Sequence, residues 1–307
     1  MSRQIWLDLG KNLSPTTKTV ASAMKKTGLS WKVVAKEVQV VGGEKIPDKL
    51  AIIREDTKDV LGVVNSTYKV IQNSQVFSFL DKFIEDGVAT FYAAGYIGKG
   101  EKIWLILKLQ DDINIKDDII EKLILFTNAH DGRGALRAYF LPLRKKTKTL
   151  LNIYFGKRVE QGIHMRHVGK IEQRINDAKN IFKLADSFYT NFQEAIMKLY
   201  NAKLNSKKIE MFFEYCFEAY SISSTRTQNT FKKIKNLYAK ELKSFPNSSN
   251  SAWAWFNAVV NFIDYDRLSK GKNTLHRTSN HLESLFWGSA LLLKQRAWNS
   301  LSTFTKL

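Results

Sequence analysis

The sequence predicts an α+β protein: an antiparallel, curved sheet with one packing helix in the N-terminal half, and a helical C-terminal half. Three observations predict it. β-branched, partly alternating runs separated by glycine or polar turns fill residues 31–141. Inside that half, residues 74–84 place Phe77, Leu80, Phe83 and Ile84 on one helical face. From residue 168 onward apolar residues recur at helical spacing, starting with Ile171, Ile175, Ala178 and Ile181. The pattern divides into a weakly structured arm over 1–30, a strand-rich α+β domain over 31–175, and a helical region over 176–307 packed on it.

The elements follow in order. Ser14-Pro15 reads as a helix start, and Val20–Lys26 as a short helix that stops at Gly28. Trp31–Val41, Ala51–Arg54 and Val60–Val64 form a strand meander. Asn73 or Ser74 caps the packing helix. Thr90–Tyr96 and Lys102–Leu109 make a hairpin around the Ile97–Glu101 turn, and Ile113–Ile120 reads as a polar connection. Leu123–Phe126 and Ala135–Leu141 are the strands of a central hairpin, ended by Pro142. Leu150–Phe155 is a further strand or short helix. Helices are expected over 179–202, 207–222, 227–243, 251–268 and 275–303, with Phe245–Asn250 as a loop.

Composition narrows the function. The chain has 307 residues, is 44% hydrophobic, and carries a formal net charge of +19. That excess points to nucleic acid, an acidic membrane surface or an acidic protein. No apolar run is long enough to span a membrane. One cysteine, Cys216, excludes an internal disulfide and reads as a core residue; the composition suits a reducing cytoplasm in a bacterial host. The N-terminus lacks the apolar stretch of a signal peptide. Residues 55–140 hold 10 Lys/Arg against 13 Asp/Glu, whereas residues 141–175 hold 9 against 2.

The central hairpin is the best site in the sequence. Asn128, Gly132 and Gly134 form its turn, with His130 and Asp131 fixing it. Arg133, Arg137, Arg144, Lys145, Lys146 and Lys148 surround it, and Lys157 and Arg158 follow. Tyr154 and Phe155 lie among these cations. Lys and Arg follow phosphates and rings stack on unpaired bases, so the group fits single-stranded DNA. Each ring taken singly reads as core, and the C-terminal Trp253, Trp255, Phe256, Phe262, Phe286, Trp287 and Trp298 read as helix packing. Acid–base chemistry would need His130, Asp131 and Asp264 together; a His-Asp turn is more often a hydrogen-bonded device, and no residue is assigned to catalysis. His164 and His167 lack further ligands for a metal site. No phosphate-binding or dinucleotide motif is present, so no cofactor is assigned.

These segments together resemble the phage/plasmid-like protein family, a domain of unknown function, over about residues 55–303. Tyr68, Gln72, Asn73 and Phe77 match its first pattern, and Gly98, Gly100, Ile103 and Trp104 its glycine hairpin. Asn128, His130, Asp131 and Gly132, then Pro142 and Arg144, match its hallmark. His164 or His167 with Arg174 precede the first long helix. Trp253, Asn257, Ala258, Asp264, Arg267, Gly288, Lys294 and Ala297 match near the C-terminus. The chain departs after Arg144, where Lys145, Lys146, Thr147 and Lys148 replace an apolar pair, a Cys and an Asn-Thr-Leu element. The resemblance implies a mobile-element setting and no settled activity.

By analogy with basic α+β proteins that anneal complementary strands as rings, the sequence reads as a DNA-binding protein without nucleotide hydrolysis. It would prefer single strands, anneal them in recombination or replication, and form homo-oligomers. The alternatives are a metal-assisted nuclease or other hydrolase using His130, Asp131 and Asp264, and a factor that binds an acidic host protein.

Overall fold

A computed structural model describes residues 4–132, 136–154, 163–164, 171–217, 224–267 and 269–305. The chain begins with β1 (Gly10–Asn12) and α1 (Val20–Thr27), then the meander β2 (Val33–Gln39), β3 (Lys45–Arg54) and β4 (Val60–Asn65). α2 (Asn73–Phe77) and α3 (Asp81–Glu85) flank a single 3₁₀ turn. β5 (Ala89–Ile97), β6 (Lys102–Leu109), β7 (Ile113–Ile115), β8 (Asp118–Glu121), β9 (Leu123–Ala129), β10 (Arg137–Phe140), β11 (Leu143–Arg144) and β12 (Ile163–His164) complete the strands. The C-terminal half is α4 (Ile171–Asn201), α5 (Ser206–Phe217), α6 (Thr225–Ser244), α7 (Ala252–Asn261), a π-helical turn (Phe262–Asp266), α8 (Thr274–Trp287) and α9 (Ser289–Thr305).

The α+β class holds, with antiparallel sheets first and helices after. Instead of one sheet, the described residues form three: β1-β5-β6-β9-β10-β12, β2-β3-β4 and β11-β8-β7. Strand alternation sorts the large sheet's side chains onto two faces. Ile103, Leu105, Leu107, Ile124, Phe126 and Phe140 join a core with Phe77, Phe79, Leu80 and α4. Trp104, Ile106, Leu123, Leu125 and Tyr139 join a second core with Trp6, Leu282, Phe286 and Leu291. The large sheet thus lies between the packing helix with α4 on one side, and the N-terminal segment with α8 and Leu291 of α9 on the other, while the rest of α9 packs with α4 in the first core. Gly95 makes room for this: a Cβ there would stand 2.5 Å from the Trp104 ring.

Several expectations change. The described part of the arm, residues 4–30, is built in: Trp6 is fully buried, β1 pairs with β5, and α1 is capped by Thr19 and ended by left-handed Gly28 (φ +76°). The connection 113–120 is a hairpin, β7 paired with β8. Leu150–Tyr154 is neither strand nor helix, apart from a bridge between Leu143 and Leu150. The last expected helix breaks at Gly288, whose extended backbone separates α8 from α9, while Ser284 Oγ accepts from Ala290 N–H at 3.0 Å.

Candidate functional site

The central hairpin supplies structure more than surface. Arg144, expected to hold phosphate, is 1% exposed. Its guanidinium donates to Asp118 at 2.8 Å and to both oxygens of Glu241 at 2.8 and 3.1 Å. It also stacks over Phe245 with 4.4 Å to the ring centroid. Burial works against its charge, but Asp118 and Glu241 more than offset that and push its pKa up. This triad joins β11, β8 and α6. The neighbouring lysines are also engaged: Lys145 Nζ lies 3.5 Å from Asp112, and Lys148 Nζ lies 3.8 Å from Glu121. Their acids come from the acid-rich segment before the hairpin, so the charge imbalance along the chain is partly cancelled in space. Lys146 is exposed and donates to Ser244 O at 2.9 Å, at the C-terminal end of α6. Arg137 is half-buried on β10, and Tyr154 is core. Arg133, Gly134, Lys157 and Arg158, like Phe155 and His167, lie outside the described residues, as do the side chains of His164 and Arg174.

The His-Asp-Gly turn is a joint between two sheets. Asn128 sits inside β9 opposite Ile103 and not in the turn. His130 is buried; its N–H donates to Glu101 O at 2.7 Å. Asn73 donates its amide to Leu29 O, which leaves Oδ1 as the acceptor for His130 Nε2–H at 2.8 Å. Gly132 has φ +75°, and a Cβ on it would stand 2.5 Å from Val64 Cγ1; one on Gly62 would stand 2.6 Å from Asp131 Cα. The glycine lets the turn press on β4; it does not open a path to a ligand. Asp264 belongs to another network, formed by Leu150, Lys294 and His281. His130 is thus tied to Asn73 and Glu101, and Asp264 to Leu150, Lys294 and His281.

A stripe of exposed positive charge lies on α6. Ser224 caps it by accepting from Thr227 N–H at 3.2 Å. Ile234 and Glu241 face inward, with Leu237 and Tyr238 partly buried. Asn229, Lys232, Lys233, Asn236, Lys240 and Lys243 recur at spacings of three and four on the exposed side. None of these lysines makes an ion pair among the described residues. The helix has 20 residues, roughly 30 Å of length. Lys146 extends the charge past its C-terminal end. The lysine spacing within residues 225–244 is the sequence signal for this face, whereas the contact expected from the sequence lies at the hairpin.

At its other end the stripe meets a polar cleft of about 1060 Å³, lined by Asn229, Lys233, Arg267, Lys270 and His281 among others. The π-helical turn builds it: Arg267 N–H reaches back to Phe262 O at 2.8 Å and ends the turn. Beneath it, Lys294 and Asp264 form a fully buried pair at 2.6 Å. Lys294 also donates to Leu150 O and Asn152 Oδ1 at 2.8 and 3.1 Å. Burial pushes the Asp264 carboxyl up and the Lys294 amine down, each against the pull of the other. His281 Nε2–H donates to Asp264 O at 2.8 Å, which leaves Nδ1 facing Ser269 Oγ at 3.2 Å. Arg267 Nη2 donates to Ser289 Oγ at 3.4 Å, while Nη1 is buried without a hydrogen-bond partner among the described residues.

Among the described residues, no group of three His, Cys, Asp or Glu is placed to hold a metal ion. No described helix is long and apolar enough to cross a membrane. Motif residues quoted from the sequence meet in the fold: Asn73 bonds His130, Asp264 pairs with Lys294, and Arg144 and Trp253 share Asp118 as acceptor, the Trp253 Nε1–H at 3.4 Å. They are chiefly the skeleton of the fold. No curated protein and no solved structure matches the chain. The family model that does match spans residues 60–286, which takes in the meander's last strand, the central hairpin, α6 and the Arg267 cleft, and the chain therefore belongs to the family described as a domain of unknown function, DUF932.

Proposed function

We propose that this protein binds single-stranded DNA through its phosphates, in a phage or plasmid setting within the host cytoplasm, and anneals complementary strands as an oligomer. The observation that carries the reading is the exposed face of α6: Lys232, Lys233, Lys240 and Lys243 unpaired, with Lys146 at the helix end. Four unpaired ammonium groups on one helix repel one another until an anion with repeating charge lies along them. Lysine is a point charge that takes phosphate without reading base edges, so the binding is independent of sequence. The reading moves the contact from the hairpin expected in the sequence to the helix that the hairpin's Arg144 anchors.

The test is binding of labelled single-stranded and double-stranded DNA across a salt series. Each single-strand phosphate contact adds about 0.7 to the slope of log K against log salt. Replacing Lys232, Lys233, Lys240 and Lys243 by Ala is expected to weaken binding and to flatten that slope by about 3. Binding with an unchanged slope in the variant removes the α6 face, and no binding by the wild type at low salt removes nucleic acid altogether. Mixing complementary strands with the protein then measures annealing.

A further inference from the structure

Among the described residues, the Arg267 guanidinium is a half-buried cation with no carboxylate partner. Arg144 has two carboxylates, Lys294 has Asp264, and Arg54 has Asp56. Arg267 has only one long bond to a serine hydroxyl and a buried Nη1 with nothing to donate to. Half-buried, it bears the desolvation penalty without an anion to offset it. Three cavities meet at it, of about 1060, 390 and 560 Å³. The largest adds Lys233 from α6 and Lys270 from the segment before α8, against a single carboxylate, the exposed Asp266. Asn280 Nδ2–H donates to Lys270 O at 2.8 Å and fixes that segment. Asp264, the other acid nearby, is committed to Lys294 and the Leu150 N–H.

We propose that the Arg267 cleft is a binding site for a phosphate group, with the Arg267 fork as its recogniser and Lys233 and Lys270 as flanking charges. A planar fork with an unfilled N–H matches two oxygens of one phosphate. The volume leaves room for more than the phosphate itself. Two sources carry this chemistry: the terminal phosphate of a DNA strand, and the phosphate chain of a free nucleotide. The site stands on Arg267 and shares only Lys233 with the lysines of α6.

The experiment is calorimetric titration of the full chain with inorganic pyrophosphate. Arg267→Ala is expected to weaken binding about tenfold or more, and Arg267→Lys, which keeps charge and loses the fork, to recover only part. Lys270→Ala, on the exposed rim, is expected to weaken it without affecting folding, and so covers the case in which Arg267→Ala fails to fold. Lys240→Ala with Lys243→Ala is expected to leave pyrophosphate binding unchanged, which separates this site from DNA binding along α6. Absence of pyrophosphate binding by the wild type, or equal binding by the Arg267 and Lys270 variants, overturns the proposal. Tighter binding of a 5′-phosphorylated oligonucleotide than of its 5′-hydroxyl twin assigns the site to strand ends. Equal binding of the two, with a nucleoside triphosphate displacing pyrophosphate, assigns it to free nucleotides.

Discussion

Replacing Arg144 with Met separates a structural role from a DNA-contacting one. The native guanidinium is 1% exposed and sits between Asp118 and Glu241, themselves buried, at 2.7 and 2.8 Å. Removing it leaves two carboxylates in an apolar site beside Phe245 and Trp253. Breaking a buried pair by deleting one partner costs about 3–5 kcal/mol, and here two acids lose the same cation. At roughly 2–4 °C per kcal/mol for a chain of this order of size, the midpoint of thermal unfolding should fall by roughly 6–20 °C. The triple variant Arg144→Met, Asp118→Asn, Glu241→Gln removes the stranded charges and should regain much of that loss. Urea and thermal unfolding followed by circular dichroism measure both variants, with DNA affinity taken under conditions where each is folded. A single variant that melts within about 2 °C of wild type yet binds DNA with a flatter salt slope would refute the reasoning and return Arg144 to phosphate contact.

Two more perturbations test other parts of the frame. Gly132→Ala forces a Cβ onto φ +75° and to 2.5 Å from Val64, and should lose about 1–3 kcal/mol in urea unfolding; adding Val64→Ala should relieve the collision but not the backbone strain. Lys294→Met should lose about 3–5 kcal/mol, with most of it regained when Asp264→Asn is added. That single variant should also show a steeper pH dependence than the wild type, because removing Lys294 withdraws the pull that opposes burial at Asp264. Burial holds the Asp264 carboxyl above its ordinary value of 3.8, so the folded state binds the proton more tightly. Stability is then fully present below 3.8 and is lost as pH rises through the folded value. Unfolding midpoints that stay flat from acid to neutral pH would show that Asp264 finds another cation.

How much of this was legible depended on where the partners sit in the chain. Hydrophobic period gave the meander, the Ala89–Leu109 hairpin and the C-terminal helices, because each element's burial is written in its own residues. It missed β7 and β8, which are only three and four residues long and are joined by the charged turn Lys116-Asp117. It read residues 275–303 as one helix because Gly288 is a weak signal in an otherwise continuous apolar pattern. The arm over 1–30 looked loose since its anchor, Trp6, inserts against residues about a hundred positions away. Arg144 looked like a surface cation because its acids lie 26 and 97 residues off. A charge in a basic run shows its sign but not its counter-ion. Arg267 was visible only as a motif residue; that it stands opposite Lys233 is a fact of tertiary packing.

The way the sheet's loose ends are tied has a consequence for the gene as well as the protein. Tyr189 on α4 donates to Leu123 O, Lys294 on α9 to Leu150 O, and Glu241 on α6 holds the arginine of β11. Each bond crosses from the strand-rich half to a different helix of the other. A fragment ending at any helix boundary would strand a carbonyl or a charge in the half it keeps. The two halves therefore cannot be shuffled as separate modules, and a recombination junction between them is tolerated only when both parents supply matching partners. Lineages of this chain should exchange it whole.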